Sequence, residues 1–202
     1  MGSTISALKE TMTDPEQERL ANDAFNCLVQ VAQCRMHHFY ERVSSPAFDS
    51  GIVPISKVIH KYQFFQCGVT NDSGEASKAI TENLGAFVSG DVAKGVNDII
   101  VGNLTKLLGS YAGNTSATTT YALTTGELGG LCRIDADFYS YEFTSRSLSS
   151  IAKNVVVCSI VISSANFERF TYNDFTTIVQ AIYGASDVQI QRRIRDQLWE
   201  QI

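Results

Sequence analysis

The sequence predicts an all-α fold: a single-domain helical bundle with a buried apolar central helix at about 148–164 and a long polar loop at about 109–126. Three observations carry this expectation. Apolar residues recur with a period near 3.6 in most of the chain, which marks amphipathic helices. The run Val155-Val156-Val157-Cys158-Ser159-Ile160-Val161-Ile162 is apolar on every side, so it belongs in the interior. It reads either as a buried strand or as a central helix. No other segment reads as a strong strand, and a lone strand leaves its backbone groups without partners, so the helix is expected. With 202 residues and 44% hydrophobic content, the chain is long and apolar enough for one packed domain. Residues 1–12 are expected as a flexible N-terminus and 13–202 as a single helical domain.

The elements follow in order. Thr13 and Glu16 form a capping-box pattern with Pro15 in the first turn. Leu20, Ala24, Cys27, Leu28, Val31, Cys34, His38 and Phe39 continue it as one apolar stripe, until Ser44-Ser45-Pro46 ends the helix. Ile55, Val58, Ile59, Tyr62 and Phe65 suggest a second, shorter helix. Asp72 or Ser73 can cap a third, which carries Ile80, Leu84, Phe87 and Val88 as far as Gly90. Asp91 can cap a fourth, with Val92, Val96, Ile99, Ile100, Leu104 and Leu107. Gly95 and Gly102 lie in this helix at a cost of about 1 kcal/mol each relative to Ala, which suggests close approach by a neighbour.

Residues 109–126 hold no charge and are rich in Thr, so they read as a polar surface loop, with a strand pair as the alternative. A fifth helix is expected from Thr125 through Leu131, Ile134, Phe138 and Tyr141, followed by the central helix. Thr171 and Asp174 form another capping pattern before Phe175, Ile178, Val179 and Ile182, and Gly184 stops that helix. Ser186 and Gln189 open the last helix, with Ile190, Ile194 and Leu198 on one side and Arg192, Arg193 and Arg195 on the other.

Charge narrows the function. Sixteen basic against 21 acidic side chains give a net charge of −5, which argues against an electrostatic nucleic-acid binder. No apolar run of about 18 residues offers a conventional spanning helix. Lys9, Glu10, Asp14 and Glu16 interrupt any secretory h-region, so a cytoplasmic location is expected. Met1-Gly2-Ser3-Thr4-Ile5-Ser6 fits the M-G-x-x-x-[ST] pattern, which makes Gly2 a candidate lipidation site at the membrane periphery.

Candidate chemistry is sparse. Cys34 and His38 are four apart and could make an activated thiolate, but both fall on the apolar stripe, where packing accounts for them. His37 and Glu41 read as a solvated ion pair, because the second Glu-x-x-His of a di-iron bundle is missing. Asp135, Asp137 and Glu142 could supply paired carboxylates, with Asp135 and Glu142 on one helix face. Arg133 and Arg146 are as ready to neutralise them. No nucleotide-binding or nucleophile-elbow motif occurs. Catalytic, cofactor and metal residues are therefore expected to be none.

Phe138, Tyr139, Tyr141 and Phe143 cannot all face one core from a single helix, so they and Trp199 are the candidate interface. Cys27, Cys34, Cys67, Cys132 and Cys158 form no C-x-x-C pattern. The odd number leaves a thiol for a partner chain, with Cys67 and Cys132 as candidate intermolecular thiols. The reading that follows is a non-enzymatic, self-associating structural protein. It forms homo-oligomers or a higher-order assembly, with disulfides between protomers as one means. A membrane-associated, N-myristoylated helical protein is one alternative. A small-molecule-binding bundle, or an enzyme with another kind of site, is the second.

Overall fold

The computed structural model describes residues 15–45, 53–67, 74–88, 90–109, 115–125, 130–142, 154–168 and 170–202. It corrects the all-α expectation. The chain is mixed α/β, built on a four-stranded antiparallel sheet. Helix α1 spans Pro15–Ser44, strand β1 Ile55–Cys67, helix α2 Gly74–Leu84 and helix α3 Gly90–Gly109. Strands β2, Thr115–Thr125, β3, Leu131–Glu142, and β4, Asn154–Ala165, follow as a meander. Helices α4, Tyr172–Tyr183, and α5, Val188–Trp199, close the chain. The sheet order is β1-β4-β3-β2, so β1 docks on the outer side of β4 and both β1 and β2 are edges.

Four expected elements change type. The apolar run is not a central helix but β4, an interior strand paired on both sides. Its β-branched residues suit a pleated surface packed from above and below. The expected loop contains β2, whose Thr residues fill an edge strand rather than a connection. The fifth helix is β3, and the second is β1.

Helices α2 to α5 bury one face of the sheet. Ile134, Ala136 and Phe138 of β3 and Val156, Cys158, Ile160 and Ile162 of β4 pack there with Val92, Val96, Ile100 and Leu104 of α3, Phe175 and Val179 of α4, and Ile194 and Leu198 of α5. Gly95 is where α3 meets the α4–α5 pair. A Cβ there would stand 2.8 Å from Tyr183 Cε1 and 3.0 Å from Ile194 Cδ1, so only glycine fits without a shift. The opposite face packs Val161 against Phe39 and Val43 of α1. The Thr171–Asp174 capping box is formed in both directions and starts α4.

Candidate functional site: the open edge of strand β2

The two edges of the sheet differ in how they are protected. An edge strand exposes backbone N–H and C=O groups that can pair with another chain, and proteins usually blunt it with Lys, Pro, bulges or a cover. Strand β1 has several such devices. Pro54 precedes it, exposed Lys57 and Lys61 lie in it, and its pairing with β4 is irregular at Ile55/Lys57 and again at Val58/His60. Strand β2 has none of them. It contains no charged residue and no Pro. It runs against β3 in unbroken register from Thr115↔Tyr141 to Thr125↔Leu131.

Helices protect one end of β2. The buried Tyr183 hydroxyl donates to the Leu123 carbonyl, and the Thr124 hydroxyl donates to the Phe87 carbonyl. Burial holds the Tyr183 phenol well above its ordinary pKa, so it remains a neutral donor. Residues 122–125 are buried, whereas 116–120 alternate between half-buried and exposed and Tyr121 is half-buried. Among the described residues, no strand pairs with the outer side of β2. Beside its open part runs a groove of about 480 Å³. Thr120 lies along it, Gly102 and Asn103 of α3 form one wall, and Lys94, Asp98 and Lys106 bring both signs of charge to that helix. A Cβ on Gly102 would meet nothing within 4 Å, so the close approach expected at both glycines occurs at Gly95 alone.

The structure places the residues singled out in the sequence as follows. Phe138 is fully buried in the main core. Tyr139 is half-buried, with the Arg35 guanidinium 4.8 Å from its ring centre. Tyr141 is half-buried and stands opposite Thr115. Trp199 folds back on its own chain, edge-on to Tyr172 at 4.9 Å and tilted on Phe175 at 5.3 Å. Phe143 and Gly2, with the whole segment 1–12, lie outside the described residues. Cys67 is the last residue of β1.

Disulfide linkage is corrected. Cys27 and Cys34 are exposed, Cys132 is half-buried, Cys158 is buried, and all four are free thiols. Burial raises the Cys132 and Cys158 pKa values, which keeps these thiols protonated and slow to react. Cys34 and His38 are both exposed on α1, so the apolar stripe that was to account for them does not bury them. His37 and Glu41 form an exposed i, i+4 contact at 3.1 Å.

The acidic cluster sits on a strand, which separates its members. Asp135 and Asp137 share a face of β3, while Glu142, an odd number of residues away, is on the other. Both aspartates are buried and held by arginines. Arg133 Nε and Nη2 donate to Asp135 Oδ1 at 3.0 and 2.6 Å, and its Nη1 donates to the Val53 carbonyl at 2.7 Å. Arg35 of α1 donates to both Asp137 oxygens at 2.8 and 3.0 Å, and the Thr119 hydroxyl donates to Asp137 Oδ1. Desolvation raises the Asp135 pKa, with the Arg133 charge opposing it. Among the described residues, Asp135 Oδ2 and Ser163 Oγ are buried without a hydrogen-bond partner.

Among the described residues, no three His, Cys, Asp or Glu side chains gather as a metal site, and no helix is long and apolar enough to cross a membrane. No protein family, curated protein or solved structure matches the chain. Sequence reasoning missed the β2 edge. Its signal was an uncharged, Thr-rich run of eleven residues.

Proposed function

We propose that this chain is a non-enzymatic protein that acts by associating with copies of itself into a homo-oligomer. The observation that carries the reading is the β2 edge, which over 115–121 has no charge, no Pro, no irregularity and, among the described residues, no strand paired on its outer side, in a sheet whose other edge carries Lys, Pro and two irregularities over 54–61. A protein that functions alone gains nothing from leaving one long edge open, because that edge invites pairing. The buried acids support the non-enzymatic part. Asp135 and Asp137 are engaged by Arg133 and Arg35, so two of the three carboxylates that the sequence offers for acid–base chemistry are already committed to structural bonds.

The test is molar mass in solution by light scattering across protein concentration, with and without reductant, from pH 8 to pH 5. The expected result is a mass above that of one chain, rising with concentration and unchanged by reductant. Association should strengthen as pH falls toward the sequence isoelectric point near 5.2, because protonation relaxes the repulsion between chains of net charge −5. A single-chain mass at every concentration and pH would overturn the reading.

A further inference from the structure

We propose that two copies join β2 to β2 in antiparallel register about a two-fold axis, closing into a dimer whose two sheets become one. The inference rests on the self-association reading and names its surface, its partner and its stoichiometry.

Self-pairing sets conditions that β2 meets. Antiparallel pairing about a two-fold places each residue of the strand opposite another residue of the same strand. Any charge in it would then stand near its own copy, and like charges directly opposite are destabilising. The stretch Thr115-Ser116-Ala117-Thr118-Thr119-Thr120-Tyr121 has no charge. It sits in a chain of net charge −5, so it is a place where two copies can meet without adding to their repulsion. Its hydroxyl-bearing residues suit cross-strand Thr–Thr and Thr–Ser pairs in several registers, and Thr is a good strand former.

The groove supplies a second condition. An added strand projects alternate side chains to the helix-covered face, and these need room. The groove beside Thr120 provides about 480 Å³, and its Gly102 wall is open. Its helix carries Lys94 and Lys106 as well as Asp98, and a surface bearing both signs is compatible with its own copy.

The stoichiometry follows from the other edge. An isologous contact uses the same surface on both copies and is then exhausted. Growth into a filament would need a second edge to pair, and over residues 54–61 β1 is guarded against that by its two irregularities, Lys57, Lys61 and the preceding Pro54.

The experiment is sedimentation velocity on the full chain and on Ala117→Lys, Thr118→Pro and the β1-edge control Ile59→Lys, each checked for wild-type circular dichroism. Hydrogen exchange of the 115–121 amides, at low and high concentration of the unsubstituted chain, is a readout that needs no variant. The wild type and Ile59→Lys should be dimers. Each β2 variant should dimerise about tenfold more weakly or worse, the scale of losing one or two net hydrogen bonds. The 115–121 amides should gain protection as concentration rises. A wild-type oligomer that both β2 variants leave intact, with no concentration-dependent protection at 115–121, overturns this inference and leaves the self-association reading standing. Mass growing beyond two chains overturns the closed two-fold. A wild-type monomer throughout overturns the reading itself.

Discussion

The two faces of strand β3 are both buried, yet they are built from opposite chemistry. One face presents Ile134, Ala136 and Phe138 to the helices α3 to α5, all fully buried. The other presents Arg133, Asp135 and Asp137, each at most 5% exposed, and it is held by bonds rather than by apolar contact. Helix α1 contributes to both modes on that second face. Phe39 and Val43 pack on Val161, while Arg35 reaches across to Asp137 and Tyr139. The apolar face is non-directional and tolerates neighbours of similar volume. The ionic face depends on each partner being present, because a buried charge stripped of its partner is costly.

The largest expected effects come from breaking each face once. Arg133→Ala strips Asp135 of both its charged donors and leaves the Val53 carbonyl bare, and it should cost about 3–5 kcal/mol. Phe138→Ala opens a cavity in the apolar face and should cost about 3–5 kcal/mol as well. Urea denaturation monitored by circular dichroism measures both. The faces then separate in a paired replacement. Arg133→Met together with Asp135→Leu should recover most of the Arg133→Ala loss, since removing both charges removes the desolvation penalty. No second substitution of a single partner restores the Phe138 cavity. A double variant as unstable as Arg133→Ala would show that the ionic face contributes net stability and would break the comparison.

Intermediate in size is Arg35→Ala. Its guanidinium is one-third exposed and its two bonds to Asp137 are partly screened, so the loss should be about 2 kcal/mol, below that of Arg133→Ala. The same urea titration reads it, and a loss equal to that of Arg133→Ala would mean that exposure does not grade the ionic face.

Smallest is the pH dependence. Asp135 has its carboxyl pKa raised on folding, so the folded state holds a proton at a pH where the unfolded chain has released it. Its contribution is fully present below the unfolded value, near pH 4, and is lost as pH rises through the raised folded value. Asp174 has the opposite sign. The Thr171 hydroxyl and backbone N–H lower its pKa, so its contribution is present above its unfolded value and fades as pH falls through the folded one. Stability measured against pH should therefore lose its decline above pH 4 in Asp135→Asn and part of its acid-side decline in Asp174→Asn. Identical pH profiles for the two variants would remove the distinction between a buried and an exposed carboxylate.

The sequence by itself determined the helices. The periodic stripe ending at Ser44, the apolar spacing from Val92 to Leu107 and the Thr171–Asp174 capping box all correspond to helices in the structure, because a helix closes its hydrogen bonds within its own segment and leaves a local mark. Gly95 was legible as a close approach for the same local reason, its cost inside a helix. Only the tertiary structure decided the strands. Leu131, Ile134 and Phe138 satisfy a helical spacing, while Cys132, Ile134, Ala136 and Phe138 satisfy a strand alternation, and the chain alone does not choose between them. Strand β4 resembled a helix because it is covered on both faces and so lacks the alternation of a half-buried strand. The open β2 edge was hidden for a further reason. An edge is defined by the strand that does not lie beside it, and that follows from the order β1-β4-β3-β2, which pairs β1 with a strand about a hundred residues away. Hydrogen bonds between distant segments make a sheet, so its edges and its two faces exist only once the chain has folded.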